Sequence, residues 1–544
     1  MKYLVVGGVA GGATAAARLR RLDESAEIIM FERGNDVSFA NCGLPYYVGN
    51  VITSRNRLLV QTANGIRNRF NIMVRTNSEV IGIDTDANKV QVRANGRIYE
   101  ETYDALLLAP GAKPFRPNMP GIHSEKIVTL RNMEDVDHLK FYTDNAVHQR
   151  AVVIGGGFIG VETAENLRQR GLDVTLIEAA PQLLPPFDPE IVKFIELTMK
   201  ANGIHLKLNT QVKGFEESEN GISVSLNDGS AVSGDFAVLA IGVRPDTDFI
   251  RSSKIALNSK GYILVDDELR TNIPNVFAAG DAIELFSAKD KSPMVLPLAG
   301  PANRQGRCAA DNMTGMHKKL KGLSGSAILK VFGMTAAVTG RNARTLKAAN
   351  IPFHTVICHP MNHAGYYPGA TQMTLKVMFA PDGQILGAQA IGQDGVDKRI
   401  DVIAAMMQQG ADVRALIDLE LCYAPPFSSA KDPVNMAGDM AENILDGLSI
   451  PIQYDELDEA IQRGARLIDV RTPGEFMQGH LPGAENLSLD EIRNRLEEFD
   501  KSQEIIVYCQ VGLRGYYAER ILRPHGFNVR NLSGGYKLAS AQML

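Results

Sequence analysis

The sequence predicts an α/β protein of several domains, and three observations carry that prediction. The chain has 544 residues, which at about 100–200 residues per domain corresponds to three to five domains. Its composition, 45% hydrophobic and 22% charged, is that of a globular protein and excludes disordered, collagen-like and coiled-coil chains. A strand, a glycine-rich turn and a helix follow one another twice, in LVVGGVAGGATAA at residues 4–16 and VVIGGGFIGVETA at residues 152–164. This repeat indicates two domains built on parallel βαβ units.

Charge and cysteine content narrow the class of function. The formal net charge of -5 argues against nucleic acid binding, which usually needs a broad basic face. The five cysteines show no CxxC or metal-finger spacing, and the His- and Cys-containing stretch 354–363 fits no zinc pattern, so no metal site is predicted. Glycines interrupt the apolar N-terminus, and no segment approaches the ~18 apolar residues of a membrane span. We therefore expect a soluble cytoplasmic protein without nucleic acid or membrane partners.

The two glycine-rich turns match the fingerprint of dinucleotide-binding βαβ units. The first glycine allows a tight turn, the second lets backbone N–H groups approach a pyrophosphate, and the third lets the helix pack on the strand. An acid at the end of the following strand accepts hydrogen bonds from a ribose. The matching residues are Gly155, Gly157, Gly160 and Glu178 in the second copy, and Gly7, Gly12 and Glu32 in the first. In the first copy Val9 occupies the middle position.

The nicotinamide preference follows from the charge of Glu178. A carboxylate at this position favours a free ribose 2′-hydroxyl and repels a 2′-phosphate, so NADH is the expected electron donor. A nearby arginine would override the preference and admit NADPH.

The pattern changes after residue 324. The segments LKVFGMTAAVTG, MTLKVMFA and ILGAQAIG predict antiparallel strands, and helices are predicted around 398–410 and 433–446. The helical pattern stops near residues 447–451, and a compact α/β segment with the strands RLIDVR and EIIVYC runs from about 452 to residue 544. Two further domains are therefore expected.

Two more motifs complete a resemblance of residues 1–447 to a known family. NVFAAGDAIE at 275–284 is a strand that delivers Gly-Asp, and SFANCGLPYYVGN at 38–50 holds Cys42, with tyrosine at position 47 where glutathione-reductase-like enzymes have a second cysteine. With both fingerprints, the chain resembles the FAD-dependent pyridine nucleotide–disulfide oxidoreductases and, within them, the CoA-disulfide reductases. The resemblance implies FAD on the first βαβ unit, with Glu32 at the adenosine ribose and Asp281 at the ribityl chain, and the nicotinamide cofactor on the second. It also places Arg33 and Gly242 among the cofactor-binding residues.

Cys42 is the predicted redox centre. It precedes a predicted helix start, which should stabilise a thiolate. Without a second cysteine nearby, it must cycle through a mixed disulfide with substrate or through a sulfenic acid. The resemblance adds Tyr366 of HAGYYPG and Tyr423 of LCYAPPFSSAKDPVN, which would reach the other subunit's Cys42 across a homodimer interface and could donate to a thiolate there. We interpret Cys308 and Cys422 as packing residues.

A coenzyme A site is also implied by the resemblance. Because coenzyme A is polyanionic and the chain is net negative, cations should cluster locally, and two of the implied arginines lie one helical turn apart. The implied positions are Thr14, Arg18, Arg21, Ser38, Asn41, Asn303 and Lys431.

The last ~90 residues resemble a rhodanese domain. LIDVR (467–471), GHLPGAENL (479–487) and YCQVGLRG (508–515) occur in that order. Cys509 begins a tight loop that runs into a helix, and successive backbone N–H groups of such a loop form an anion nest that can stabilise a thiolate and cradle a persulfide. Arg514 adds charge suited to an anionic sulfur donor. Asp469 and Arg471 are expected to hold the framework.

The expected architecture is two Rossmann-like dinucleotide-binding domains, an α+β dimerisation domain and a C-terminal α/β rhodanese domain. The expected bounds are 1–147 with 264–323 for the FAD-binding domain, 148–263 for the NAD-binding domain, 324–447 for dimerisation and 452–544 for the rhodanese domain. The expected function is NADH-dependent reduction of CoA disulfide, CoA persulfide or polysulfide through a mixed disulfide at Cys42, with Cys509 accepting sulfane sulfur. Two alternatives stay open: an NADH oxidase or peroxidase with a sulfenic acid at Cys42, and a slowly turning redox sensor or sulfur carrier.

Overall fold

The computed structural model describes residues 1–219 and 221–544. Packing divides this part of the chain into two compact units, Met1–Pro181 with Gly203–Ser324, and Gln182–Asn202 with Gly325–Leu544. The expected α/β architecture is confirmed, with two parallel sheets in the first unit, and one antiparallel and one parallel sheet in the second. Segment 182–202, inside the predicted NAD-binding domain, packs with the second unit. Over the described residues, no helix combines the length and apolarity needed to cross a bilayer.

The first parallel sheet is built around the N-terminal strand. Its strands are short and mostly apolar, and they are largely buried on both faces, as parallel sheets covered by helices require; the edge strand Met73–Arg75 is partly exposed. In spatial order they are Val276–Ala278, Ala105–Leu108, Lys2–Val6, Glu27–Phe31 and Met73–Arg75. The helices of this region are Ala10–Leu22, Leu44–Val48, Ala63–Phe70, Met133–Asp144 and Ala299–Met313. Smaller sheets join Ser78–Asp84, Lys89–Ala94 and Arg97–Thr102, and Ile263–Leu264, Ile283–Phe286 and Pro293–Met294.

The second parallel sheet repeats the first in topology. In each, the strand before the glycine turn is central, the next two strands lie on one side, and later or linking strands lie on the other. In spatial order the strands are Ile204–Lys207, Asp173–Ile177, Arg150–Ile154, Phe236–Leu239 and Ile127–Val128, with the helix Phe158–Gln169 after the central strand. An antiparallel sheet joins Val212–Ser218, Gly221–Leu226 and Ala231–Gly234, and Ala112–Pro114 pairs with Val243–Pro245. The internal repeat of the sequence is therefore a repeat of fold.

The second unit contains the two C-terminal domains. The antiparallel sheet has the order Ala327–Val331, Met334–Gly340, Ile385–Gly392, Thr374–Phe379 and His354–Cys358, with helices Pro189–Ala201, Ala343–Ala348, Val396–Gln408 and Pro433–Leu445. The parallel sheet has the order Pro451–Ile452, Asn528–Leu532, Glu504–Tyr508, Arg466–Asp469 and Glu485–Asn486, with helices Tyr454–Gln462, Pro473–Met477, Leu513–Leu522 and Gly535–Gln542. The antiparallel sheet lies within residues 324–447, the range expected for dimerisation, and the parallel sheet lies within 452–544, the expected rhodanese range, apart from Pro451.

A buried ion cluster fastens segment 182–202 to the antiparallel sheet. The Lys376 ammonium bonds to Asp188 at 2.6 Å and also to Glu190, and only 3% of the lysine side chain is exposed. Gln389 donates to the same Asp188 carboxylate at 2.7 Å. Because the one ammonium bridges both carboxylates, this cluster holds the start of helix Pro189–Ala201 with an ionic partner for each buried ion.

Candidate functional site

The two glycine turns have the same geometry. Gly7 and Gly155 have φ of +98° and +107°, a region that side chains rarely adopt. A Cβ added to Gly12 or Gly160 would lie 1.8 or 1.9 Å from the carbonyl oxygen of Gly7 or Gly155, respectively. Each helix therefore begins in close contact with its strand, and its first N–H groups are available to an anion.

The middle position of the fingerprint tolerates a side chain. Val9 has φ of -105°, which any residue adopts. At the corresponding Gly157, φ is -77° and an added Cβ would meet nothing within 4 Å. Valine in the first copy is therefore compatible with the same turn.

The two acids are held in the same way. Glu32 accepts hydrogen bonds from the N–H groups of Gly8 at 2.9 Å and Gly34 at 3.0 Å. Glu178 accepts from Gly156 at 2.6 Å and, at 2.7 Å, from the N–H two residues beyond itself. Each carboxylate is thus fixed beside its glycine turn, where a ribose next to a bound pyrophosphate would lie. The residues present fit two dinucleotides.

The other predicted cofactor residues lie in the same unit. Asp281 pairs with Arg131 at 2.7 Å. Arg33 forms an ion pair with Asp246, so its charge is already balanced. Gly242 has φ of +111°, which marks a turn that only glycine adopts readily. Arg131 was not predicted, because nothing in its local sequence distinguishes it from a surface arginine.

Cys42 lies on an exposed turn that is tied to the first glycine loop. The turn spans Asn41–Gly43 and leads into the helix Leu44–Val48. Ser38, at φ of 48°, donates its N–H to the Gly8 carbonyl at 2.7 Å. The Asn41 side-chain amide donates to the Arg131 carbonyl at 3.0 Å. The thiol is accessible to solvent and therefore to a substrate.

The charges around Cys42 come from both nucleotide-binding halves. Partial burial raises the pKa of the Cys42 thiol, and the carboxylates of Glu162 and Asp281 raise it further, whereas the guanidinium of Arg131 lowers it. The expected helix start does follow Cys42 at Leu44–Val48, whereas burial and the two carboxylates act against the thiolate. Asp281 follows the Gly-Asp strand of the first half, whereas Glu162 lies on the helix after the second glycine turn. Cys42 thus lies where the two halves meet.

Glu162 is a titratable group that sequence reasoning missed. The Tyr46 hydroxyl donates to Glu162 Oε1 at 3.2 Å. Burial raises the pKa of Glu162 to about 7, and the Tyr46 hydrogen bond opposes this rise. The available signal was a carboxylate two residues after Gly160, on the helix Phe158–Gln169 that follows the second glycine turn.

The two predicted tyrosines meet on the surface of the second unit. The hydroxyls of Tyr366 and Tyr423 are 3.1 Å apart, and the residues are 76% and 49% exposed. Their mutual hydrogen bond raises the pKa of Tyr366. The predicted Lys431 pairs with Asp439 at 2.5 Å on the same unit. The tyrosines are therefore available to a partner or substrate, as a role across a dimer interface requires.

The implied coenzyme A residues of the first unit are partly assembled. The Thr14 hydroxyl donates to the Asn303 side chain at 2.8 Å, which brings together two residues far apart in sequence. Arg18 pairs with Asp311 at 2.6 Å, whereas Arg21 is exposed. The expected cationic cluster is therefore reduced to one uncompensated arginine on this helix face, because Asp311 balances the other.

The cysteines are all free. Cys308 is buried, in agreement with a packing role. Cys422 is exposed on an irregular segment, so its assignment as a packing residue is wrong. Exposure makes Cys422 a useful reference for the reactivity of Cys42.

Cys509 begins a rigid loop in the last domain. It is buried at the end of strand Glu504–Tyr508, and the helix Leu513–Leu522 starts after Gly512, which has φ of +96°. A Cβ on Gly535 would lie 2.4 Å from the Cys509 carbonyl oxygen, which accepts the N–H of Tyr536 at 2.8 Å. The loop backbone is therefore held by close contact with the start of helix Gly535–Gln542.

Asp469 and Arg471 hold the framework under this loop, as expected. The two side chains are buried and pair at 2.6 Å. Arg471 also donates to the Gln510 side chain at 3.0 Å. Its guanidinium stacks 4.2 Å from the centre of the Tyr536 ring.

Comparison with known proteins agrees with this geometry. Residues 1–306 match the pyridine nucleotide-disulphide oxidoreductase model, 326–433 its dimerisation domain, and 453–542 the rhodanese-like domain. A coenzyme A disulfide reductase of Staphylococcus epidermidis is 38% identical over 445 residues, covering 81% of this chain and all of its own. The crystal structure of reduced Bacillus anthracis CoADR-RHD has a TM-score of 0.97 and 47% identity, covering 99% of this chain and 98% of its own. A NAD-dependent persulfide reductase from A. fulgidus has a TM-score of 0.92 and 34% identity, covering 99% of this chain and 100% of its own.

Proposed function

Because the chain belongs to the pyridine nucleotide-disulphide oxidoreductase family, we propose that it is an NADH-dependent reductase of CoA-linked disulfides and persulfides that works through Cys42. We further propose that Cys509 carries sulfane sulfur to or from that reaction, and that the dimerisation domain forms a homodimer. The relatives named for CoA disulfide reduction and persulfide reduction support this substrate class.

The cofactors are assigned from the two fingerprints. The turn with Gly7, Gly12 and Glu32 would hold FAD, and the turn with Gly155 and Glu178 would hold NADH. When bound, FAD takes a hydride from NADH and supplies an electron pair to sulfur. The chain's own residues then have to position the reacting thiol, exclude water and handle protons.

Cys42 is proposed to exchange with the substrate disulfide. Its thiolate attacks one sulfur of CoA disulfide, the S–S bond breaks, and one CoA thiolate leaves with the electron pair. A mixed disulfide between Cys42 and CoA remains. Two electrons and one proton then release the second CoA thiol and restore the Cys42 thiolate. With CoA persulfide the same balance yields CoA thiol and hydrogen sulfide.

The observation that carries the proposal is the charge environment of Cys42. Its electrostatic neighbours Asp281 and Glu162 belong to the first and second nucleotide-binding halves, respectively. A single accessible thiol between two dinucleotide sites is suited to pass electrons from a nicotinamide donor to a sulfur substrate. Tyr46 and Glu162, joined by a hydrogen bond, supply a proton-binding group with a pKa of about 7 beside it.

The test is anaerobic turnover of the full-length holoenzyme with CoA disulfide, CoA persulfide and polysulfide. We expect one NADH consumed per two CoA thiols from CoA disulfide, and loss of more than about 99% of this activity in Cys42→Ser. Cys422→Ser is the matched control, since Cys422 is also exposed and free, and it should keep full activity. Full activity of Cys42→Ser would overturn the assignment. NADH consumption only with peroxide or oxygen would favour the oxidase or peroxidase alternative.

A further inference from the structure

Two arginines lie beside Cys509, and a carboxylate neutralises each of them. Arg471 is paired with buried Asp469 at 2.6 Å. The Arg514 guanidinium, which interacts with the Cys509 thiol, forms a two-pronged pair with Glu475 at 2.8 and 2.6 Å. Planar pairing of this kind is the strongest geometry for an arginine and a carboxylate. The charge that Arg514 offers to a sulfur donor is therefore largely cancelled.

Glu475 is held in place and ionised. The Thr472 hydroxyl and N–H both donate to Glu475 Oε2, at 2.9 and 3.1 Å, at the start of the helix Pro473–Met477. The hydrogen bonds from Arg514 lower the pKa of Glu475 to about 2. The carboxylate is thus negative at neutral pH.

No further cation belongs to the loop itself. Between Cys509 and Arg514 the sequence is Gln-Val-Gly-Leu. The ammonium of nearby Lys537 donates a hydrogen bond to the Gln372 side-chain oxygen at 2.6 Å. A bound anion would therefore be stabilised mainly by backbone N–H groups at the start of helix Leu513–Leu522.

The surface next to the loop is apolar. Leu513 and Tyr517, one turn apart on the same helix, are 55% and 48% exposed. Met477, two residues after Glu475, is 83% exposed. Exposed apolar groups around a reactive cysteine fit the carbon chain of an organic thiol.

We propose that Glu475 is a specificity-determining residue whose negative charge makes the Cys509 site select organic persulfides over the dianion thiosulfate. The proposal rests on the proposed role of Cys509 as a sulfane-sulfur carrier. In that role the Cys509 thiolate attacks the outer sulfur of a donor, the donor S–S bond breaks, and the leaving group departs with the electron pair. A Cys509 persulfide results, and its outer sulfur passes to a nucleophile, which restores the thiolate.

The test compares two donors that differ by one charge in the same reaction. Thiosulfate loses sulfite and benzenethiosulfonate loses benzenesulfinate, and cyanide then takes the sulfur as thiocyanate. Thiocyanate formation is measured without NADH on the full-length wild type, Glu475→Gln and Glu475→Asp, with Cys509→Ser as the background. Glu459→Gln is the matched control, since Glu459 is an exposed carboxylate of the same domain that pairs with Arg463 at 2.8 Å.

We expect Glu475→Gln to raise kcat/KM by about fivefold per unit of donor charge, hence more for thiosulfate than for benzenethiosulfonate, and Glu475→Asp to keep the wild-type discrimination. Glu459→Gln should leave kcat/KM for both donors unchanged. If the ratio of kcat/KM for thiosulfate to kcat/KM for benzenethiosulfonate is the same in Glu475→Gln as in the wild type, the inference is overturned, even if both values change together. If no variant forms thiocyanate above Cys509→Ser from either donor, the sulfur-carrier role of Cys509 is contradicted, and this inference falls with it.

Discussion

The charge of Glu178 should set the choice between NADH and NADPH. Its carboxylate is fixed by the N–H groups of Gly156 and Ala180 at 2.6 and 2.7 Å, so it cannot turn away from a ribose at this position. The five residues that follow it, AAPQL, contain no arginine or lysine that could offset its charge. The side chain is partly exposed, so its interactions are screened by water.

The magnitude follows from Coulomb's law. At about 4–5 Å in a water-like medium each pair of unit charges costs about 1 kcal/mol, and a 2′-phosphate carries nearly two charges. Removing the charge in Glu178→Gln should therefore stabilise the transition state with NADPH by about 2 kcal/mol, which raises kcat/KM for NADPH roughly thirty-fold. The same change should lower kcat/KM for NADH by about fivefold, since it weakens one hydrogen bond to the 2′-hydroxyl.

The assay is steady-state oxidation of both nucleotides with saturating CoA disulfide. Asp173→Asn is the matched control, because Asp173 is an acid at the opposite end of the same strand, paired with His205 at 3.0 Å. It should leave the ratio of the two kcat/KM values unchanged. If Glu178→Gln leaves kcat/KM for NADPH at its wild-type value, the electrostatic reasoning is refuted.

Two further predictions concern stability and pH. Lys376→Met leaves Asp188 as a buried carboxylate without its ionic partner and should lower the free energy of unfolding of the second unit by about 3–5 kcal/mol. Lys347→Met, which breaks an exposed ion pair, should lower it by less than about 1 kcal/mol. Thermal unfolding monitored by circular dichroism measures both variants, and equal shifts in their unfolding temperatures would contradict the argument. Ionised Glu162 raises the pKa of Cys42, so Glu162→Gln should speed alkylation of reduced Cys42 by iodoacetamide several-fold at pH 8. At pH 5.5, where Glu162 is protonated, the variant and the wild type should react at the same rate. If the alkylation rates of the two proteins differ by the same factor at both pH values, this coupling is contradicted.

The local parts of the nucleotide sites could be predicted from the sequence. Glycine at the first and third fingerprint positions is required by contacts within one strand–turn–helix unit, as the 1.8 Å approach at Gly12 illustrates. The acids Glu32 and Glu178 follow from the same local rule, because each closes the next strand. Valine at the middle position was compatible with the turn because its φ is negative.

The residues that sequence reasoning missed depend on contacts between distant segments. Arg131 reaches Asp281 across 150 positions, and Tyr46 reaches Glu162 across 116. Asp311 neutralises Arg18 in the same way, 293 positions away, and no periodicity in either helix reports this pair. Such contacts are fixed by packing of whole domains, so they become visible only in the folded chain.

The most direct test of the account is to trap the substrate on its thiol. The full-length holoenzyme is reduced with one equivalent of NADH under argon, mixed with CoA disulfide, quenched with acid and digested for mass spectrometry. We predict one CoA per subunit in disulfide linkage to Cys42, with Cys422 unmodified although it is exposed. A CoA adduct on another cysteine, or none while one free CoA thiol is released per subunit, would contradict the central claim.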